Sequence, residues 1–179
     1  LGYINKLPKM VGVQAAGSSP IVDAFLKHEM KIENVKKPDT VATAIRIGAP
    51  VSWKKALRSI YDSGGTSLKV SDKDILDSQI NLARLEGLFV EPASASPIAA
   101  LKKLIANGTI QRDESVVCVA TGHGLKDPEV MNNIFEKPIE LDANIEKITT
   151  ALNPDDTKLD VDELNPVITH KSNSLNNEE

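Results

Sequence analysis

Two residues stand where a ligand-binding sheet would place its chemistry. Glu91 follows the short apolar run 88–90 and opens the stretch Glu91-Pro92-Ala93-Ser94-Ala95. Thr121 follows the continuous apolar run 116–120 and opens Thr121-Gly122-His123-Gly124. A carboxylate at such a point can accept hydrogen bonds or a proton, and a hydroxyl can donate or accept without carrying charge. Glu91 can equally be a buried acid with backbone partners, and Thr121 a plain strand-end hydroxyl. Spacing alone leaves both readings open for each.

Other chemistries find less support. Gly122-x-Gly124 begins a dinucleotide fingerprint, but the third glycine position holds Asp127 and Pro128 follows. Ser63-Gly64-Gly65-Thr66-Ser67 offers backbone amides to an anion, yet it has no Walker lysine and follows a helix, which favours a helix stop. Asp155, Asp156, Asp160, Asp162 and Glu163 lack the glycine and terminal glutamate of a calcium loop and read as a solvated acidic stretch. His28, His123 and His170 are scattered and Cys118 has no partner cysteine, so zinc ligation is not expected. No Gly-x-Ser-x-Gly elbow is present, and Cys118, within an apolar run, reads as core packing rather than a nucleophile.

The elements that would position Glu91 and Thr121 alternate between strand and helix. Residues 10–15 alternate apolar side chains as a strand does, and Ser19-Pro20 can start a helix carrying Ile21, Val22, Phe25 and Leu26. Residues 29–39 read as a lysine-rich surface loop, and Gly48 to Pro50 break the stretch 40–50. Ser52 is placed to cap a helix that turns Trp53, Ala56, Leu57 and Ile60 inward and stops at Gly64-Gly65. Residues 68–70 make a short strand. Ser71 and Asp74 form a capping box, in its aspartate form, opening a helix with Ile75, Leu76, Ile80, Leu82, Ala83 and Gly87. Residues 88–90 make a brief strand, Ser96-Pro97 starts a helix burying Ile98, Leu101, Leu104 and Ile105, and residues 116–120 read as a strand covered on both faces. This alternation predicts an α/β domain with a largely parallel sheet. Right-handed crossovers would gather Ala15 to Ser18, Glu91 to Ala95 and Thr121 to Gly124 at one sheet edge.

The 179 residues are 41% hydrophobic and 26% charged, as in an ordinary globular protein. Aromatics at 3% offer no base-stacking platform, and a net charge of −4 gives no electrostatic reason for a nucleic-acid partner. No apolar run approaches the roughly 20 residues of a membrane span, so no membrane partner is expected. The lone Cys118 suits a cytoplasmic setting. Residues 141–152 form a candidate amphipathic helix, and from Pro154 onward seven acids face two lysines, which predicts a disordered or loosely attached tail.

Taken in order, Pro8-Lys9-Met10-Val11-Gly12-Val13-Gln14-Ala15-Ala16-Gly17, the stretch 40–50 (TVATAIRIGAP), Glu91-Pro92-Ala93-Ser94-Ala95 and Thr121-Gly122-His123-Gly124-Leu125-Lys126-Asp127 resemble the threonine synthases. These are pyridoxal-phosphate enzymes of fold type II, and the likeness covers about residues 1–130. The second and fourth stretches point to threonine synthase in particular. The resemblance implies a tryptophan synthase β-like large domain, pyridoxal 5'-phosphate as cofactor, and conversion of O-phosphohomoserine and water to threonine and phosphate by a homodimeric complete protein. It implies that Thr121 hydrogen-bonds the cofactor's pyridine nitrogen, that residues 42–48 pass near the ring and close the substrate pocket, and that Glu91 lies nearby without a settled role. Arg46 in that loop can equally be a salt-bridged surface residue. The glycines flanking His123 would let backbone approach the ring.

The family's Schiff-base lysine and Gly/Asn-rich phosphate loop have no counterpart among these residues, and Lys126 belongs to a different motif. Residues 1–152 are therefore expected to be the C-terminal part of the large domain, with 153–179 an acidic tail, and the chain is expected to be inactive alone. Another fold type II lyase, such as a threonine dehydratase or cysteine synthase, and a non-catalytic interaction remnant are the alternatives.

Overall fold

A computed structural model describes residues 4–132 and 140–151. The chain divides into two compact units, Leu1–Glu136 and Lys137–Glu179. The expected boundary at 152/153 and the acidic tail lie outside the described residues.

The first unit is built on a two-stranded parallel sheet. Strand β1 (Val11–Ala15) pairs with β2 (Thr66–Val70) in a register running from Val11 opposite Thr66 to Ala15 opposite Val70. Period-two alternation sorts the side chains. Val13, Ala15, Leu68 and Val70 join one core cluster, whereas Gly12, Gln14, Ser67 and Lys69 serve the other face. On that second face a Cβ at Gly12 would lie 2.7 Å from Ile60 Cδ1 and 2.9 Å from Ser67 Oγ, so both side chains would have to shift to admit one.

The crossover between the strands holds α1 (Pro20–Leu26), a 3-10 turn (Thr43–Ile45) and α2 (Trp53–Asp62). Ser19 occupies the N-cap position of α1 as expected, but its hydroxyl does not cap. It donates to Asp23 Oδ2 at 3.0 Å, while the first-turn amides of Ile21 and Val22 both donate to Gln14 Oε1, at 2.9 and 3.0 Å. A strand side chain thus satisfies two of the helix's orphan amides. Ser52 likewise makes no side-chain cap. Helix α2 ends as predicted at Gly64, whose φ of +61° suits glycine, with the Gly65 amide bonded back to Ile60 O. Ala24, Ile32 and Leu57 form a second core with Phe25 and Tyr61, whose rings lie 5.0 Å apart.

Helix α3 (Asp72–Glu86) opens on the predicted capping box: Asp74 N donates to Ser71 Oγ at 3.2 Å, and Ser71 N to Asp74 Oδ2 at 3.0 Å. It closes at Gly87 with φ +67°. Helix α4 (Pro92–Ala106) packs against it, and Lys103 Nζ reaches Asp74 Oδ2 at 2.7 Å. The start of α4 corrects the sequence reading, which placed it at Ser96-Pro97. Pro92 supplies the first helical residue and Pro97 lies inside the helix. Pro97 has no N–H to give the Ala93 carbonyl, and Ser96 Oγ donates to that carbonyl instead, at 2.7 Å. Its buried face is Ala93, Ala95, Ala99, Ala100 and Leu104, whereas Ile98, Leu101 and Ile105 are half-buried. The alanines let the helix lie close to Ala15, Ala42 and Val70.

Residues 116–120, read as a strand covered on both faces, form no strand. Val116, Val117 and Val119 are exposed, Val117 at 89%. The apolar character was read correctly, but among the described residues no strand pairs with them. Residues 88–90 form only an isolated antiparallel bridge, Val90 to His123. A 3-10 turn (Gly124–Lys126) and α5 (Pro128–Asn132) follow. In the second unit α6 (Ile145–Ala151) occupies the predicted helical stretch. Among the described residues no helix is long and apolar enough to cross a membrane.

Burial alone would raise the Asp74 carboxyl, but hydrogen bonds from Lys103 and Ser71 outweigh it and hold the group at about 2. Its stabilisation is therefore complete above the ordinary carboxyl range near pH ~4 and is lost as pH falls toward ~2. Asp74→Asn should lower the urea midpoint at pH 6, and the gap from wild type should shrink at pH 2. Gln14→Leu should cost about 1–2 kcal/mol in the same titration and speed amide exchange at Ile21 and Val22.

Candidate functional site

The first turn of α4 and the segment 121–124 meet at one serine hydroxyl. Glu91 is the N-cap, with φ −67° and ψ 158°, and Pro92 follows with its φ already helical. This places Ser94 at the third helical position, where its amide donates to Glu91 O at 3.0 Å and its side chain, 1% exposed, turns toward residue 121. Ser94 Oγ accepts from the Thr121 amide at 3.1 Å and the Gly122 amide at 2.6 Å. It also lies 3.0 Å from Thr121 Oγ1 and 3.5 Å from Glu91 Oε1.

A short antiparallel pairing locks the same two segments from the backbone side. The Glu91 amide donates to Gly122 O at 3.0 Å, and the Gly124 amide to Phe89 O at 3.1 Å. Side chains of the same chain press against both glycines. A Cβ on Gly122 would stand 2.1 Å from Glu91 Oε1, and one on Gly124 would stand 2.5 Å from the Phe89 ring. These two faces are thus filled by Glu91 and Phe89, a structural reason for glycine beyond approach to a cofactor. His123 is exposed, its ring edge-on to Phe89 at 5.7 Å, and its Nδ1 accepts from the Leu125 amide at 3.2 Å.

Glu91 is buried, 8% exposed, and makes no ion pair with a lysine or arginine among the described residues. Its carboxylate lies at the N-terminal end of a fifteen-residue helix, where the helix dipole favours negative charge. Thr121 is exposed, with its hydroxyl at the surface of this joint. Glu91 and Thr121, 30 residues apart in sequence, are thus brought together through Ser94.

The stretch 40–50 is tied to the same region. Thr40 is 2% exposed and its Oγ1 donates to Asp72 Oδ1, while the Val41 amide donates to Asp72 Oδ2 at 3.0 Å. Ala42 and Ile45 pack in the core cluster that holds Ala93 and Ala95. Thr43 Oγ1 donates to Asp127 Oδ2 at 2.7 Å, so loop 42–48 is tethered to the segment that carries Thr121. Arg46 is exposed and its Nε donates to Thr40 O at 2.8 Å, holding the loop's own backbone. Gly48 is buried against Val35, whose carbonyl a Cβ would meet at 2.0 Å. Of the three predicted edge segments, the one at Glu91 and the one at Thr121 share hydrogen bonds. The third, 15–18, joins them through Ala15, which shares a core cluster with Ala93 and Ala95. Cys118 is half-buried, and burial pushes its thiol pKa up, which disfavours the thiolate.

Ser94 and Asp127 lie within the motifs, and nothing in residue type marks them as site residues. The available signal for Ser94 was its place three residues after an N-cap acid, where a side chain points back past the helix start.

This chain is 52% identical over 151 residues to the threonine synthase of Methanocaldococcus jannaschii, across 84% of this chain and 37% of that protein. It is 53% identical over 152 residues to the threonine synthase of Methanosarcina acetivorans, across 85% of this chain and 38% of that protein. The chain therefore spans under two fifths of the length of these relatives. Among solved structures, a fungal L-serine ammonia-lyase from Rhizomucor miehei superposes with a TM-score of 0.53 at 22% identity, covering 63% of this chain and 36% of that one. At that identity the likeness bears on the fold alone, which is the α/β fold of type II. The sequence profile of the family described as pyridoxal-phosphate dependent enzyme matches residues 2–122, and the chain belongs to that family, whose cofactor is pyridoxal phosphate.

Proposed function

We propose that residues 1–152 serve as the C-terminal part of the large domain of a threonine synthase, with 153–179 an acidic tail. The complete protein would convert O-phosphohomoserine and water to threonine and phosphate. The lysine that attaches the cofactor and the loop that holds its phosphate would lie outside these 179 residues. Support for the substrate comes from the relatives named threonine synthase at 52% and 53% identity, and from the motifs at 40–50 and 121–127.

The observation that carries the reading is the exposed, uncharged Thr121 hydroxyl, anchored from below by Ser94 at 3.0 Å and flanked by Ala120 and Gly122. That arrangement fits the pyridine nitrogen of pyridoxal phosphate. A hydroxyl can donate to a nitrogen that carries no proton, whereas a carboxylate would draw a proton onto it. When bound, the cofactor supplies an electron sink for bond breaking next to the substrate's amino-bearing carbon. The residues of this chain bind and orient. Thr121 would hold the ring nitrogen, and the Glu91–Gly122 contact steadies the backbone next to it. Loop 42–48, tethered through Thr43 to Asp127, would border the substrate pocket and limit its access to water.

This chain, mixed with pyridoxal phosphate and reduced with borohydride, should give no single stoichiometric lysine adduct and should release no phosphate from O-phosphohomoserine. The complete protein should do both. One specifically trapped lysine within residues 1–179 would overturn this division of labour. Thr121→Val in the complete protein should weaken cofactor binding about tenfold, since an isosteric change removes one hydrogen bond to the ring. An unchanged dissociation constant would remove Thr121 from the cofactor site.

A further inference from the structure

Hydrogen-bond counting around Ser94 determines which way the Thr121 proton points. A serine hydroxyl has one proton and two lone pairs. Both lone pairs of Ser94 Oγ are taken by backbone amides, Thr121 N at 3.1 Å and Gly122 N at 2.6 Å. Thr121 Oγ1 therefore has no lone pair of Ser94 to donate into, which leaves the 3.0 Å contact between the two hydroxyls, open in direction from distance alone, to be made by the Ser94 proton. The other acceptor within reach of the Ser94 proton, Glu91 Oε1, is at 3.5 Å, beyond the ordinary O–H···O range. With Ser94 donating to it, Thr121 keeps its own proton free, on a side chain exposed to the surface.

We propose that Ser94 is a positioning residue that makes Thr121 an obligate donor, so that the site selects an aromatic ring nitrogen in its unprotonated form. This rests on the reading of Thr121 as the residue that meets the ring nitrogen, and it adds the residue that sets the direction of that bond. Ser94 does not touch the ring. It acts by occupying the acceptor side of Thr121 and by holding the 121–122 peptide in place. Without Ser94 the Thr121 hydroxyl is free to rotate and either donate or accept, and the preference for an unprotonated nitrogen weakens.

The test uses the complete holoenzyme loaded with cofactor labelled with 15N at the ring nitrogen, together with the cofactor dissociation constant. Ser94→Ala should move the ring-nitrogen resonance toward the protonated position and raise the dissociation constant about fivefold, less than Thr121→Val because the Thr121 bond to the ring is weakened rather than removed. Ser94→Thr, which restores the hydroxyl, should return the resonance to its wild-type value. Ser94→Cys fills the site with a weaker donor and should give an intermediate shift, and it carries the test if Ser94→Ala does not fold. A folded Ser94→Ala or Ser94→Cys protein with an unmoved resonance would overturn the proposal, leaving Ser94 a purely structural link. Thr121→Val separates the two readings. If it moves the resonance while the Ser94 variants do not, only the positioning role fails; if it does not, the assignment of Thr121 itself fails.

Discussion

The buried hydroxyl of Ser94 joins two stretches of chain from the side-chain side, beside a short backbone pairing. Residues 115–121 belong to no ladder; two amides donated to one oxygen, a two-bond pairing beside it and the contact of Cys118 Sγ with Pro97 O bring them to α4. Removing that oxygen would leave the buried Gly122 without a partner for its amide, a cost of about 1–3 kcal/mol for such a group. The Glu91 carboxylate lies against the α-carbon of Gly122, so a side chain there would have to displace it. The geometry of Thr121 is therefore set by a helix terminus rather than by a strand.

Helix α4 can perform that role because its sequence reconciles several demands. Pro92 starts it directly after Glu91, the alanines at 93, 95, 99 and 100 bring it close to β1 and β2, and Ser96 relieves the carbonyl that Pro97 leaves unserved. Lys103 then fastens its far half to Asp74, at the capping box of α3. Each contact fixes the helix in a different direction: along its axis, toward the sheet, and against its neighbour.

Much of this was legible in the sequence. The strand at 11–15, the 68–70 part of the strand that runs from Thr66, the helical runs of α1, α2 and α3, the glycine stop at 64 and the Ser71–Asp74 box follow from local rules of period and turn chemistry, though the serines before α1 and α2 do not cap. The failures have physical causes. Ser96-Pro97 imitates a helix start because a mid-helix proline becomes tolerable only when another donor serves its orphaned carbonyl, and that bond is not visible in a pattern of residue types. Residues 116–120 have the composition of a buried strand, but a strand exists only with a neighbour to pair with, and among the described residues none is placed there. Gln14 serving α1 from a strand, and Ser94 serving Thr121 from 27 residues away, are tertiary contacts that no local window contains. Glu91 and Thr121 were found because they end apolar runs, whereas the serine that links them was hidden inside a motif.

The parallel pairing of β1 with β2 has a kinetic side. Ser67 reaches Gly12 across 55 residues, and no hairpin can shorten that path between parallel strands. Helices α3 and α4 are neighbours along the chain, so they can meet at a much smaller loss of chain entropy. By contact order, the helical pair is the cheap nucleus and the sheet the slow closure. The joint at Ser94 needs only α4 and the segment just after it, so it can be in place before the sheet on which the core depends.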